Sequence, residues 1–222
     1  TNFDVQLAAY IKEQISHLDT KKVLDINTNT GRLPFLLAQS VAKITAIDFS
    51  ARFIRMPIQL QENGFMRYIV TDENELVHYR EIVIDSHLQE IAKEKIVFLQ
   101  DNANNLKPIH SGFDVIIANN VLEELNNPIQ FLQTIHQRLH KQGILIVVSS
   151  YNWKKNNIPA ENWLGGYKKD GEPVTGLDAI KENLQNTFVL LDKPFDLQKI
   201  AYISTRESSV QRCEVSIWQK KS

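Results

Sequence analysis

The chain has 222 residues, enough for one well-buried domain, and its 43% hydrophobic and 23% charged content is ordinary for a soluble globular protein. A net charge of −1, from 25 basic and 26 acidic residues, leaves no basic footprint for nucleic acid, and no apolar run is long enough for a membrane span. Cys213 is the only cysteine, which excludes an internal disulfide and a cysteine metal cluster, so a cytoplasmic protein is expected. A start at Thr-Asn-Phe without Met fits a trimmed chain or a piece of a longer one.

Leu7, Ile11, Ile15 and Leu18 repeat at helical spacing and predict an amphipathic lead-in helix over 4–18. A strand over 23–26, a polar turn closed by Gly31, a helix over about 33–40 and a strand over 44–48 follow. The next helix is expected from Ala51 to Asn63, with Ser50 as its cap, Gly64 as its stop and a kink or break at Pro57. The stretch from 66 to 95 is irregular, with a short extra strand at 82–84 and a short helix at 87–93. Strands over 96–99 and 113–118, a helix over 128–139 and the apolar β-branched run 144–148 continue the alternation. Residues 152–176 are rich in Gly, Pro and Trp and read as a long ordered loop covering a site. A helix over 177–185 and strands near 188–191, 197–204 and 214–219 end the chain.

This order predicts a single α/β domain over 1–222. It is a three-layer sandwich around a seven-stranded, mostly parallel, Rossmann-like sheet whose last strand is antiparallel. Right-handed crossovers put the carboxyl ends of the parallel strands on one edge, where ligands bind. Gly31, Asp48, Asp101, Asn119 and Tyr151 all fall at or just past such ends.

The first turn, Asp25-Ile26-Asn27-Thr28-Asn29-Thr30-Gly31, has one glycine, so it fits neither a dinucleotide fingerprint nor a phosphate-binding P-loop. Asp48, 17 residues past Gly31, is placed to reach ribose hydroxyls, with Phe49 beside it. The turn resembles the first motif of class I S-adenosylmethionine-dependent methyltransferases, with Asn27 where a glycine is expected. Asn is the least awkward substitute there because it tolerates left-handed dihedrals.

The stretches IDFSARFIRMPIQLQENGFMRY (47–68), ENEL (73–76), FLQDNANNLKP (98–108), YNW (151–153) and ENWLGGYKKDGEPVT (161–175) together resemble one family more closely. It is the C-terminal methyltransferase domain of ovothiol-synthesising enzymes, and the resemblance spans roughly residues 20–195. It implies S-adenosylmethionine as cofactor and N-methylation of a small imidazole substrate, 5-thiohistidine. It also implies association with a separate sulfoxide synthase, since no such domain is present here.

On this reading Asp25, Asn27, Gly31, Asp48, Phe49, Asp101, Asn102, Ala103 and Asn119 bind the cofactor. Asn102, or Asp101 after a local shift, would meet the adenine amino group. Tyr151, Trp153 and Trp163 form an aromatic wall for the acceptor, and Tyr68 or Tyr151 orients it. Arg67 or the 152–170 loop holds its amino-acid end. Glu123 and Glu124 read as a solvated helix start. The six histidines lack metal-ligand spacing and read mostly as surface residues, so no metal is expected. A non-catalytic methyltransferase-like binding protein and a methyltransferase for another small molecule stay open as alternatives.

Overall fold

The computed structural model describes residues 3–154 and 158–222. Helix α1 (Phe3–Gln14) leads into β1 (Lys22–Ile26), α2 (Arg32–Leu37), β2 (Lys43–Asp48) and α3 (Ala51–Asn63). A hairpin of β3 (Phe65–Thr71) and β4 (Val77–Val83) comes next. It is followed by α4 (Ser86–Lys95), β5 (Ile96–Gln100), β6 (Phe113–Asn119), α5 (Pro128–Thr134) and β7 (Leu139–Ser149). A small hairpin of β8 (Tyr167–Lys169) and β9 (Glu172–Val174) precedes α6 (Gly176–Leu184). The last strands are β10 (Phe188–Leu190), β11 (Phe195–Tyr202) and β12 (Ser208–Lys220).

The main sheet runs β10-β12-β7-β6-β1-β2-β5, with β11 also on β12. Pairs among β1, β2, β5, β6 and β7 are parallel, and β12 is antiparallel to β7. Val215 pairs with both Val148 and Phe195, and Trp218 with both Leu145 and Leu190, so β10 and β11 share one edge of β12. The expected seventh strand position is therefore filled by two strands, interrupted at 191–194, where Pro194 has no N–H to give.

Strand residues alternate between the two faces, and this makes three layers. Val23, Val115, Ile117, Ile146 and Val148 join α1, α2 and α3 in one cluster, while Leu24, Ile26, Ile116, Leu145 and Val147 join α5 and α6 in the other. All ten are nearly or fully buried, each stabilising the fold by roughly 1.5–3 kcal/mol relative to exposure. Asp25 alternates with Val23 and so faces the first cluster. The crevice between β1 and β6 is the topological switch point, because the chain leaves β1 for β2 and β5 on one side and places β6 and β7 on the other.

Helix α3 begins and ends as its caps predict: Ser50 Oγ accepts from Phe53 N at 3.4 Å, and Gly64 is left-handed at φ 76°. Of the kink or break expected at Pro57, the break does not occur, since the helix runs unbroken from Ala51 to Asn63. Pro57 instead packs over Gly31. A Cβ on Gly31 would lie 2.5 Å from Pro57 Cβ and 2.9 Å from Phe98 Cε1, and its φ is 75°.

Two hairpins depart from the sequence reading. β3–β4 replaces the single short strand expected at 82–84, and β8–β9 lies within the expected loop 152–176. The tip of β3–β4 is clasped to the tip of β11–β12: Thr205 N donates to Thr71 O at 2.9 Å, Thr205 Oγ1 bonds Asp72, and Arg206 pairs with Glu73. The Trp-Leu-Gly-Gly segment is explained by packing, because a Cβ on Gly165 would sit 2.4 Å from Gly176 N, and one on Gly176 would meet the Tyr151 ring at 2.1 Å. No helix among the described residues is long and apolar enough to cross a membrane.

Gly31→Ala adds a methyl into occupied space at a left-handed position. It is expected to lower unfolding stability by about 3 kcal/mol in urea titration. An unchanged midpoint would mean that Pro57 and Phe98 move aside freely.

Candidate active site

The carboxyl ends of β1, β2, β5 and β6 open onto a cavity of about 260 Å³ lined by Ile26, Asn27, Ile47, Asp48, Phe49, Asp101, Asn102, Ala103, Asn104, Val121, Glu124, Leu125 and Asn126. A second, polar cavity of about 140 Å³ adjoins it, lined by Asn27, Asn29, Asn120, Glu123, Glu124, Ser150, Asn152, Lys154, Lys199 and Gln211. Asn27 and Glu124 are the residues common to both.

Asn27 is left-handed at φ 63°, the conformation its glycine-like position requires. Its side chain is not an obstruction in the cleft. Nδ2 donates to Asn119 O at 3.0 Å and Asn120 O at 3.2 Å, tying the β1 turn to the β6 turn across the switch point. Asp48 makes the matching tie on the other side: Oδ2 accepts from Asn29 N and Oδ1 from Ser50 N, both at 2.8 Å. Each carboxylate oxygen keeps a further lone pair for a ligand hydroxyl. Phe49, next to it, is 71% exposed although aromatic, and it presents its ring at the cavity rim.

After β5 the adenine-side expectations change. Asp101 is held by its own neighbours, with Oδ1 accepting from Asn102 N at 2.8 Å and Oδ2 lying 2.7 Å from His110 Nε2 and 3.5 Å from Lys107 Nζ. Burial works to raise the Asp101 pKa, but His110, the Asn102 N–H and Lys107 overcome it and hold the carboxyl below its ordinary value. His110, read from sequence as a surface residue, is 3% exposed. The Asn102 side-chain oxygen, expected to face an adenine amino group, instead accepts from Asn104 N at 2.9 Å. Asn102 and Ala103 still line the cavity.

Several expected site residues lie elsewhere. Gly31 lines neither cavity; its freedom is used against Pro57 and Phe98. Asn119 is 4% exposed and serves through its carbonyl, while its neighbour Asn120 lines the polar cavity. Tyr68 is on the β3–β4 hairpin beside Arg80, and Arg67 there is paired with Glu81 at 2.9 Å. Tyr151 turns away at φ 53°, its hydroxyl donating to Glu214 at 2.6 Å, and it lines a separate shallow groove with Tyr167 and Pro173. Burial and Glu214 raise the Tyr151 pKa. Trp163 donates to Ile158 O at 3.1 Å, and Trp153 packs into the α5–α6 cluster, so the aromatic wall is loop packing instead. The loop does reach the rim, where Asn162 Nδ2 donates to Asn126 O at 2.9 Å.

Of the two acids expected at a solvated helix start, Glu124 is exposed but Glu123 is not. Glu123 is 7% exposed, and its Oε1 accepts from Ser149 Oγ at 2.8 Å, Ser150 N at 2.7 Å and Tyr151 N at 2.8 Å, closing the turn after β7. Burial, with Asp48 and Glu123 nearby, raises the Glu124 pKa against the opposing pull of Lys199 and Asn27. The consecutive acids after a buried strand were the available signal. Lys199 and Gln211 carried none, since only the fold of β11–β12 brings them here.

Asp25 is 1% exposed, lines neither cavity and has no well-formed hydrogen bond to either oxygen among the described residues. Burial pushes its pKa from 3.8 to about 7, with Asp4 and Asp48 adding and the Thr28 hydroxyl opposing. The folded protein therefore binds the extra proton between about pH 4 and pH 7, and stability falls as pH rises through that window. At about 1.4 kcal/mol per pH unit, the folded state loses about 4 kcal/mol when Asp25 ionises. The stability advantage of Asp25→Asn over the native chain is expected to grow by about that amount from pH 4 to pH 8 in denaturant titrations.

The geometry agrees with comparisons to known proteins. The chain is 25% identical over 136 residues to the ubiquinone biosynthesis O-methyltransferase of Histophilus somni (strain 2336), covering 61% of this chain and 48% of that one. It thus spans about half the length of that curated relative. An N-methyltransferase, NodS, from Bradyrhizobium japonicum WM9 superposes with a TM-score of 0.62 at 15% identity, covering 100% of this chain and 98% of the other. A SAM-dependent methyltransferase from Methanosarcina mazei gives 0.61 at 17% identity, covering 96% and 97%. At such identities these two structures show the fold alone. The family model described as a methyltransferase domain matches residues 4–187, and the chain belongs to that S-adenosylmethionine-dependent family.

Proposed function

We propose that the chain is an N-methyltransferase for a small imidazole, 5-thiohistidine, with its cofactor in the larger cavity and its acceptor in the polar one. The observation that carries this reading is that the two cavities meet at Asn27 and Glu124, directly over the switch point. The resemblance of residues 161–175 to ovothiol-type methyltransferase domains supplies the acceptor's identity.

The residues present fit an adenosyl group. Asp48 offers free lone pairs to ribose hydroxyls, Phe49 an exposed aromatic face, and 102–103 a backbone edge. Asn27, which lines the larger cavity at the junction, would hold the methionine end. When bound, S-adenosylmethionine supplies an electrophilic methyl group on a cationic sulfonium. Asp48, Glu123 and Glu124 surround that junction with acidic groups, which favours a cation there. An imidazole nitrogen is nucleophilic when neutral, so this chain's task is orientation and exclusion of water rather than strong base catalysis. Glu124, at the junction, can accept a hydrogen bond from the ring N–H that is not attacked and leave the other lone pair aimed at the donor.

A non-catalytic binding protein is the second reading, and one observation favours it: the Asn102 oxygen is already engaged with Asn104. Calorimetry separates the two. Binding of S-adenosylhomocysteine weaker than about 1 mM supports the second reading.

Incubation with labelled donor and 5-thiohistidine is expected to place label on a ring nitrogen. A label-free ring with intact cofactor binding removes this acceptor but leaves the family assignment standing. Asp48→Asn is expected to weaken S-adenosylhomocysteine binding by about tenfold, from loss of charge-assisted hydrogen bonds.

A further inference from the structure

Among the described residues, the polar cavity is lined by two residues that carry acceptor atoms left without a donor. Glu123 Oε2 and Asn120 Oδ1 are both buried and have no hydrogen-bond partner, although Glu123 Oε1 is fully engaged. Unsatisfied buried acceptors are costly and rare, so a pair of them on one cavity calls for a donor that comes from outside the chain. Lys199, also on this cavity, is half-buried, and its ammonium makes no ion pair among the described residues. The ammonium lies 5.8 Å from the centre of the Phe3 ring and acts at longer range on the carboxyls of Asp4 and Glu124.

The linings separate this wall from the cofactor lobe. Lys199 and Gln211 line the polar cavity and not the larger one, while Asp48, Phe49, Asn102 and Ala103 line the larger one and not the polar one.

Resting on the methyltransferase reading above, we infer that this cavity is the acceptor subsite and selects a zwitterion. Glu123 and Asn120 receive an α-ammonium group, and Lys199 receives the carboxylate. This assignment replaces Arg67, whose guanidinium is committed to Glu81 on the hairpin. Lys199 is a specificity residue here, and no covalent step is assigned to it.

The test titrates the full chain, with and without saturating S-adenosylhomocysteine, with L-histidine, histamine and imidazolepropionate. Histidine is expected to bind saturably, and each analogue, lacking one charged group, about tenfold or more weakly. Lys199→Met should abolish the preference for histidine over histamine while leaving the S-adenosylhomocysteine titration and thermal midpoint unchanged. Glu123→Gln should abolish the preference over imidazolepropionate; Glu123 also closes a turn, so the half-buried Lys199 variant decides if that protein unfolds.

Equal binding of all three ligands overturns the inference. So does a Lys199→Met protein that loses S-adenosylhomocysteine instead, which would give the cavity to the cofactor's own amino-acid end. If the native chain fails to bind S-adenosylhomocysteine, the cofactor reading falls, and the ranking of the three ligands on the free protein still decides this one.

Discussion

The amide of Asn27 spans the crevice between β1 and β6, and the rest of the site is arranged around that bridge. A sheet whose strand order reverses at one point leaves a gap there, with no crossover helix to fill it. Asn27 uses a left-handed backbone to turn the chain and its side chain to bond two carbonyls of the neighbouring turn. A glycine would supply the turn without the bridge. Asp48 repeats the device one strand over, so the β1 loop is held from both sides by side chains bonded to main-chain groups. Ligand-facing lone pairs are thereby fixed in direction before any ligand arrives, which lowers the ordering cost of binding.

The two cavities differ in character because of which elements supply their walls. Parallel strand ends and the turn after β5 give the larger one a mixture of Phe49, Leu125, Val121 and carboxylate. The smaller is walled by the antiparallel pair β11–β12 and the exit of β7, whose contributions are Lys199, Gln211, Ser150 and Asn152. An apolar-aromatic rim suits a flat nucleoside, and a charged pocket suits a small ionic partner. Glu124 lies between them, and desolvation, with Asp48 and Glu123 close by, holds its proton more firmly than an ordinary glutamate holds one.

Much of this was legible in the residues. The alternation of β-branched runs with helical periods sets the sandwich, and Ser50 and Gly64 mark the ends of α3 because caps and left-handed stops are local chemistry. Asp48 and Phe49 were singled out because they follow directly from a strand end, and both line the larger cavity. The failures are equally physical. Pro57 forecast a kink or a break on local grounds, but the helix runs on through it, with Pro57 packed over Gly31. FMRYIVT carries aromatic and β-branched residues typical of strands, yet without a clean alternation or a short Gly turn the β3–β4 hairpin went unseen. Tyr151, Trp153 and Trp163 were assigned to a binding wall because aromatic content cannot tell a pocket from loop packing. Lys199 was invisible, since its relation to Glu124 exists only once β11 is laid along β12.

The clasp between the two long hairpins has a mechanical meaning. Thr205 and Arg206 at one tip meet Thr71, Asp72 and Glu73 at the other, joining segments separated by 133 residues of chain at Asp72 and Thr205. A free β-ribbon bends easily about its root, whereas one pinned at both root and tip behaves as a beam. The lysine-bearing ribbon is thus stiffened by a span rooted at the far end of α3, and trimming that remote span would slacken the pocket wall without touching a single lining residue.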